Sequence, residues 1–269
     1  MRSSSFSWTT NDAFLPISRK ACAPCNRVVR MARTGDCPRM ESIETVTRRA
    51  EGSARGETAN WHDAYRNKEL VARRASSHKR KLRRLSALDL PRSARLLDLC
   101  CGTGEALRIL HAEGFTHLFG SDITIDEDLS REPWARLTAS DACALPYEAN
   151  AFDAVICMHS LHHLGGVVRI GKTFEECVRV LAPGGRLMVL DHYDSWQLRT
   201  AFWGLKKPWL TWPTAGLRNF RLQHEEEWPY MYEYLDAWFA VPAMLRALPC
   251  EVEVQRRGAF FFYWTGRKR

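Results

Sequence analysis

No apolar run in this 269-residue chain approaches the roughly 18 residues that a bilayer-spanning helix needs, so a transmembrane segment is not expected. A complete glycine-rich phosphate signature is also missing. Gly102 and Gly104 fill the first two places of a G-x-G-x-x-G pattern, but the third is Leu107, which weakens the case for a pyrophosphate ligand. A full set of metal ligands is lacking too. Cys22 and Cys25, with Cys37 beyond them, begin a zinc-like spacing, yet no fourth Cys or His lies near enough, and no metal is expected. The nine cysteines are odd in number, and Cys100, Cys101, Cys143, Cys157 and Cys177 sit in apolar stretches where cysteine acts as a small hydrophobe. A reducing, cytoplasmic setting fits that usage better than a disulfide scaffold.

The net charge of +8 is not spread evenly. Between Arg66 and Arg84 stand nine Lys or Arg and one acid, Glu69, leaving 30 bases against 30 acids elsewhere. From Asn60 this segment reads as a helix: Asn60 can cap it, Trp61 and Tyr65 are four apart, and Leu82, Leu85 and Leu88 continue an apolar stripe. The pattern predicts a basic face over a helix that covers the core, and nucleic acid is not the favoured partner. Residues 1–57 show no sustained periodicity and are expected to be a dispensable tail; a targeting segment, or a true start at Met31 or Met40, are the alternatives.

From Arg95 onward strand-like and helix-like segments alternate, which predicts one α/β domain over 58–269, with 58–90 as its basic helical entry. Strands are expected at Arg95–Leu99, His117–Ser121, Ala154–Met158, Arg186–Leu190, Glu251–Arg256 and Ala259–Thr265, with a short one near Thr138–Ser140. Only Arg257 and Gly258 separate the last two. The sheet should therefore be a doubly wound, Rossmann-like, seven-stranded mixed sheet ending in one antiparallel C-terminal strand.

The stretch from Arg95 to Leu107, RLLDLCCGTGEAL, runs a strand into Asp98, a glycine-bearing turn and a helix from about Glu105. Such a turn brings backbone N–H groups close to a ligand. Asp122 ends the next strand, where a carboxylate can accept from both hydroxyls of a ribose, and Asp141 ends the third, placed for an adenine edge. Three carboxylates in one crevice favour a cationic adenosine ligand and repel a pyrophosphate.

Here the chain resembles the class I S-adenosylmethionine-dependent methyltransferases, in particular the small-molecule branch that includes ubiquinone/menaquinone-type C-methyltransferases. LLDLCCGTG looks like motif I, GSDIT like the acidic second strand, SDACALPYEANAFDAVICMHSLHHL like the adenine loop and fourth strand, and VRVLAPGGRLMVLD like the helix, turn and fifth strand. The resemblance implies S-adenosylmethionine as cofactor. Asp98, Cys100, Gly102 and Gly104 would surround its methionine moiety, Asp122 and Ile123 the ribose edge, and Asp141 and Ala142 the adenine. Met158 and His159 would face the amino acid end. Cys100 departs from the pattern, standing where the family's D-x-G-x-G-x-G turn has its first glycine, and a φ below zero is expected there.

The acceptor is less legible. Met158-His159-Ser160-Leu161 replaces the Asn/Asp-Pro-Pro-aromatic motif of adenine- and glutamine-N-methyltransferases, which argues against such acceptors. His162 and His192, near the carboxyl ends of strands four and five, are the candidate general bases. The segment 192–249 holds six of the ten tryptophans and is expected to form a lid over a hydrophobic or aromatic small-molecule acceptor. Within it, residues 195–222 carry five bases and no acid, a composition that also suits peripheral contact with a membrane surface.

Overall fold

The computed structural model describes residues 68–207 and 228–269, together with Trp209 and Arg221. The tail expected over 1–57, the Cys22, Cys25 and Cys37 group, the start of the basic helix and Trp212 lie outside the described residues. The elements run α1 (Lys68–Arg84), β1 (Arg95–Leu99), α2 (Glu105–Ala112), β2 (His117–Asp122), α3 (Glu127–Ser130), β3 (Ala135–Ala139), β4 (Phe152–Met158), α4 (Val167–Val180), β5 (Leu181–His192), α5 (Trp196–Leu205), α6 (Trp228–Ala237), α7 (Val241–Ala247), β6 (Cys250–Arg257) and β7 (Phe261–Lys268).

The seven strands form one sheet in the order β3-β2-β1-β4-β5-β7-β6. β1 pairs in parallel with both β2 and β4, and β7 runs antiparallel between β5 and β6, so one strand is reversed, as expected. Alternate side chains of the central strands serve opposite faces. Leu97 and Leu99 of β1, with Leu187 and Val189 of β5, join Ile170 and Phe174 of α4 in one core. Leu96, Met188 and Leu190 join Leu82 and Leu85 of α1 with Leu107 and Leu110 of α2 in the other. Two-sided burial explains why these strands read as continuous apolar runs.

α1 behaves as its stripe predicts. Leu82 and Leu85 are fully buried while Arg80, Arg83 and Arg84 stay exposed. Each buried leucine contributes about 1.5–3 kcal/mol, so the inner face alone can seat the helix. Its outer charges are partly paired: Lys79 meets Glu113, and Arg84 donates to the Tyr263 hydroxyl at 3.0 Å.

Several strand boundaries differ from expectation, including that of β4, which begins two residues early at Phe152. β5 begins at Leu181 and absorbs Ala182–Gly185, the expected helix-to-strand turn, as an irregular edge with Gly184 at φ 75° and a register shift opposite Phe152 and Ala154. β3 lies at Ala135–Ala139, earlier than expected. The hairpin turn spans residues 258–260 instead of Arg257-Gly258, closed by the Gly258 N–H donating to the Phe261 carbonyl at 2.8 Å.

Candidate functional site

β1 and β2 deliver the first group of side chains at their carboxyl ends. Asp98 is buried, with only 4% of its surface exposed. Burial, reinforced by the nearby charge of Asp122, pushes its carboxyl up to about 8. Asp122 accepts from the Gly102 N–H at 2.8 Å and the Thr124 N–H at 3.3 Å, so it pins the turn after β1 as well as facing the crevice. The Gly104 N–H donates to the Cys101 carbonyl at 2.8 Å, and the Cys101 N–H to the Ser121 carbonyl at 3.1 Å. Both glycines are left-handed, Gly102 at φ 50° and Gly104 at φ 76°. A Cβ on Gly104 would also lie 2.5 Å from Leu129, so this position requires glycine for space as well as conformation. Ile123, next along, is 63% exposed at the rim.

The expectation for Cys100 is overturned: its φ is 55°. The left-handed conformation belongs to the turn, and the bonds that the Cys101 and Gly102 N–H groups make to Ser121 and Asp122 at the end of β2 impose it whatever residue stands there. A non-glycine residue adopts it at a cost of about 1–2 kcal/mol. Burial raises the Cys100, Cys101, Cys157 and Cys177 thiols, so these are neutral packing groups.

Asp141 is placed differently from a bare adenine contact. Both its oxygens accept from Arg169 Nη2, at 2.8 and 2.9 Å, and Oδ1 also accepts from the Cys143 N–H at 2.9 Å. Desolvation opposes its ionisation, but these donors outweigh it and hold the carboxyl below its usual range. Arg169 in turn donates through Nε to the Leu164 carbonyl at 2.8 Å, tying the loop after β3 to the start of α4. Ala142 beside it is buried.

The ends of β4 and β5 carry the histidines. Met158 is buried and belongs to the same core cluster as Leu82. His159 follows at φ 57°, its N–H donating to the Leu190 carbonyl at 2.8 Å. Ser160 donates to the Met158 carbonyl at 2.9 Å and reaches the Leu99 carbonyl at 3.5 Å, a link between the ends of β4 and β1. Asp191 is wholly buried and accepts three bonds: from the Leu161 N–H at 2.7 Å, from the His192 N–H at 2.7 Å and from His162 Nδ1 at 2.9 Å. Burial opposes its charge, yet the His162 and His192 interactions prevail and hold it well below the carboxylate range.

The structure therefore separates the two candidate bases. His162 is buried with its Nδ1 on Asp191, whereas His192 is half-buried, its ring 4.6 Å from Phe261 and 5.7 Å from His159. Burial is also the main reason that His159 and His192 lie below the ordinary imidazole range, with the positive charge of Lys81 adding to it.

Lys81, Phe261 and Arg169 escaped the sequence reading. Lys81 Nζ stands 2.7 Å from His159 Nε2 and 4.5 Å above the Phe261 ring. The one available signal was its place beside Leu82 and Leu85 on the inward stripe. His159, Asp191 and His192 also bring three ligand-capable atoms within 4.8 Å of one another, a cluster that chain spacing did not suggest. The expected lid is mixed among the described residues. Phe202, Tyr234 and Trp238 are buried core, while Trp196, Trp203 and Trp209 are exposed at 74%, 57% and 67%. No described helix is long and apolar enough to cross a membrane.

Residues 97–189 match the family model described as a methyltransferase domain. Over 152 residues the chain is 28% identical to the 2-phytyl-1,4-naphtoquinone methyltransferase of Thermosynechococcus vestitus, covering 53% of this chain and 66% of that protein. Over 93 residues it is 32% identical to the Mus musculus protein named "Probable tRNA methyltransferase 9B", covering 34% of this chain and 20% of that protein. These matches leave a third or more of each relative unaligned. Among solved structures, the PH0226 protein of Pyrococcus horikoshii superposes with a TM-score of 0.52 at 21% identity, over 76% of this chain and 93% of that one, which is a likeness of fold. The segment that carries the Asp98–Gly104 turn and the Asp122 and Asp141 strand ends is thus similar in sequence to a methyltransferase domain, within a sheet of the topology described above.

Proposed function

We propose that the protein methylates a small, apolar or aromatic acceptor. The observation that carries this is the pairing of buried Asp98 with Asp122 across the ends of β1 and β2. A buried carboxyl whose proton affinity is raised by burial and by the charge of a neighbouring carboxylate forms a site whose missing counter-charge is a cation, and the sulfonium and ammonium of the cofactor supply it. Asp98 and the Cys100–Gly104 turn would hold the amino acid end, Asp122 and Ile123 the ribose edge, and Asp141 and Ala142 the adenine, with Arg169 fixing Asp141. When bound, the cofactor offers a methyl group already activated for nucleophilic attack. The chain's own task is then to hold the acceptor in line and exclude water, which needs no strong base. His192 lies at the crevice edge where an acceptor would enter, and His162 orients the floor beneath it through Asp191.

The naphthoquinone acceptor named for the cyanobacterial relative supports a ring-bearing substrate, as do the aromatic rings of Phe261 and Phe202 around His192. The tRNA methyltransferase likeness and the basic α1 support RNA as a second reading. Incubation of host extract with methyl-labelled cofactor separates them: label in solvent-extractable small molecules supports the first, and label in RNA supports the second. Cofactor binding is tested by Asp122→Ala, expected to weaken it by about 1.5–3 kcal/mol through lost charge-assisted hydrogen bonds. Equal affinity by calorimetry would remove Asp122 from the site.

A further inference from the structure

β6 ends the sheet, pairing only with β7 among the described residues. Six of its eight residues, Glu251, Val252, Glu253, Gln255, Arg256 and Arg257, are exposed, and Val252 keeps 44% of its surface open to water. The hairpin closure fixes which backbone groups face outward. The Gly258 N–H donates to the Phe261 carbonyl, and bonded and non-bonded pairs alternate along an antiparallel ladder, so Arg257 opposite Phe262 and Gln255 opposite Trp264 fall in non-bonded pairs. Their N–H and C=O groups point away from β7 and form a template for another strand.

The order of charges selects that strand. Read from Cys250, β6 carries two acids, Glu251 and Glu253, and then two bases, Arg256 and Arg257. A second copy laid antiparallel across a two-fold axis reverses the order, so an acid of each copy meets a base of the other in any register centred near Val254. Charge that only guards an edge works best with one sign, because like charges repel a self-pairing copy. Mixed charge in this order attracts one. Glu253 is held by Arg186 Nε at 2.7 Å and Arg267 Nε at 2.6 Å, beside the register shift that bends the strand, so Glu251 is the acid open to a partner. Glu251 and Arg256 carry no ion pair among the described residues, and Arg257 overlies the Tyr193 ring at 5.7 Å. β3, at the opposite edge, has a single charge, Arg136, which lies 5.4 Å over the Phe119 ring and offers no such pattern.

We propose that β6 is a self-association edge. A second copy of this chain adds its own β6 antiparallel, joining two seven-stranded sheets into one, with Glu251 of one copy against Arg256 or Arg257 of the other. Two strands and an exposed valine make a small contact, so the dimer is weak and forms at micromolar concentrations and above. Three strands separate β6 from β1, and the pairing therefore stands apart from the cofactor and acceptor readings above.

Sedimentation velocity of the full chain, over a series from about 1 to 300 μM, reads the association directly. The parent should pass from the mass of one chain to that of two. Glu251→Arg alone, and an Arg256→Glu, Arg257→Glu double variant alone, should each weaken association about tenfold or more, because the two-fold axis repeats every reversed pair. An equimolar mixture of the two variants should recover the parental association as a mixed dimer, since their reversed charges complement each other. Gln255→Pro removes an outward N–H without removing a β7 bond, and should abolish association with the melting temperature unchanged. A parent that stays single throughout the series would overturn the proposal and assign the charges and the bulge to keeping the edge unpaired. A dimer that forms equally well in both charge variants, or a mixture that associates no better than its components, would place the interface elsewhere. The parent series and the mixture carry the decision even if Gln255→Pro fails to fold.

Discussion

His162 Nδ1 lies 2.9 Å from Asp191 Oδ1, a carboxylate with no solvent exposure, so the ring is anchored at the end of β5. Asp191 bonds the backbone of Leu161 and His192 as well, and so joins the end of β4 to the end of β5. Asp191→Ala should cost about 3–5 kcal/mol in urea unfolding, because it strands several buried donors at once. Its depressed folded-state proton affinity fixes the sign of the pH dependence. The stabilisation is present above the ordinary carboxylate range and is lost as pH falls through the folded value. An Asp191→Ala protein as stable as the parent at neutral pH would show the network to be incidental.

Asp98 gives an opposite sign. Its folded value near 8 lies above that of an unfolded carboxyl, so the empty protein is penalised as pH rises towards and through 8 and is relieved below the unfolded value. At pH 7 the empty site is therefore mostly protonated. Binding a cationic cofactor restores the carboxylate, and close to one proton should be released per site. Calorimetric titration in two buffers of different ionisation enthalpy measures that number, and a count near zero would contradict the cation-trap argument. Asp98→Asn should release no proton and bind the cofactor far more weakly.

Cys100 sits at φ 55° without the freedom of glycine. Cys100→Gly should relieve about 1 kcal/mol of backbone strain, offset in part by the lost thiol packing. Cys100→Val, β-branched at the same φ, should be clearly less stable and should weaken cofactor binding by distorting the Gly102 N–H that Asp122 accepts. Thermal melts of both variants check the order; valine at least as stable as glycine would refute it.

Trp196 and Trp203 are seven residues apart on α5, hence on one face, and both are exposed. The neighbouring charges are unequal in availability: Arg199 is bonded to Asp194 and Asp236, whereas Lys207 stands 5.5 Å over Trp203. We expect the protein to float with anionic vesicles and to release at high salt, and the Trp196→Ser, Trp203→Ser double variant to stay in solution. Flotation of the double variant equal to the parent would assign these rings to some other contact.

Much of the sheet was readable in the chain because its signals are local. Leu187–Leu190 is an apolar run whose both-sided burial needs no partner to recognise, Asp98 announces itself as an acid among Leu96, Leu97 and Leu99 just before a glycine turn, and Asp122 by ending the next strand. What determined the reversal of β7 was equally local, a short turn that leaves no room for a crossover helix. The site was legible only in its cofactor half. Whether Cys100 is left-handed, whether Asp141 is free or held by Arg169, and which histidine is buried depend on groups 20 or more residues away in the chain. Lys81 is the sharpest case: 78 residues before His159, it reads as one more charge on a basic helix. Only the packing of Leu82 and Leu85 against the sheet decides that this lysine points inward while its neighbours face water. Periodicity along a chain ranks residues by face; it does not carry the rotation and height at which that face docks, and those are set by side-chain fit between elements distant in sequence.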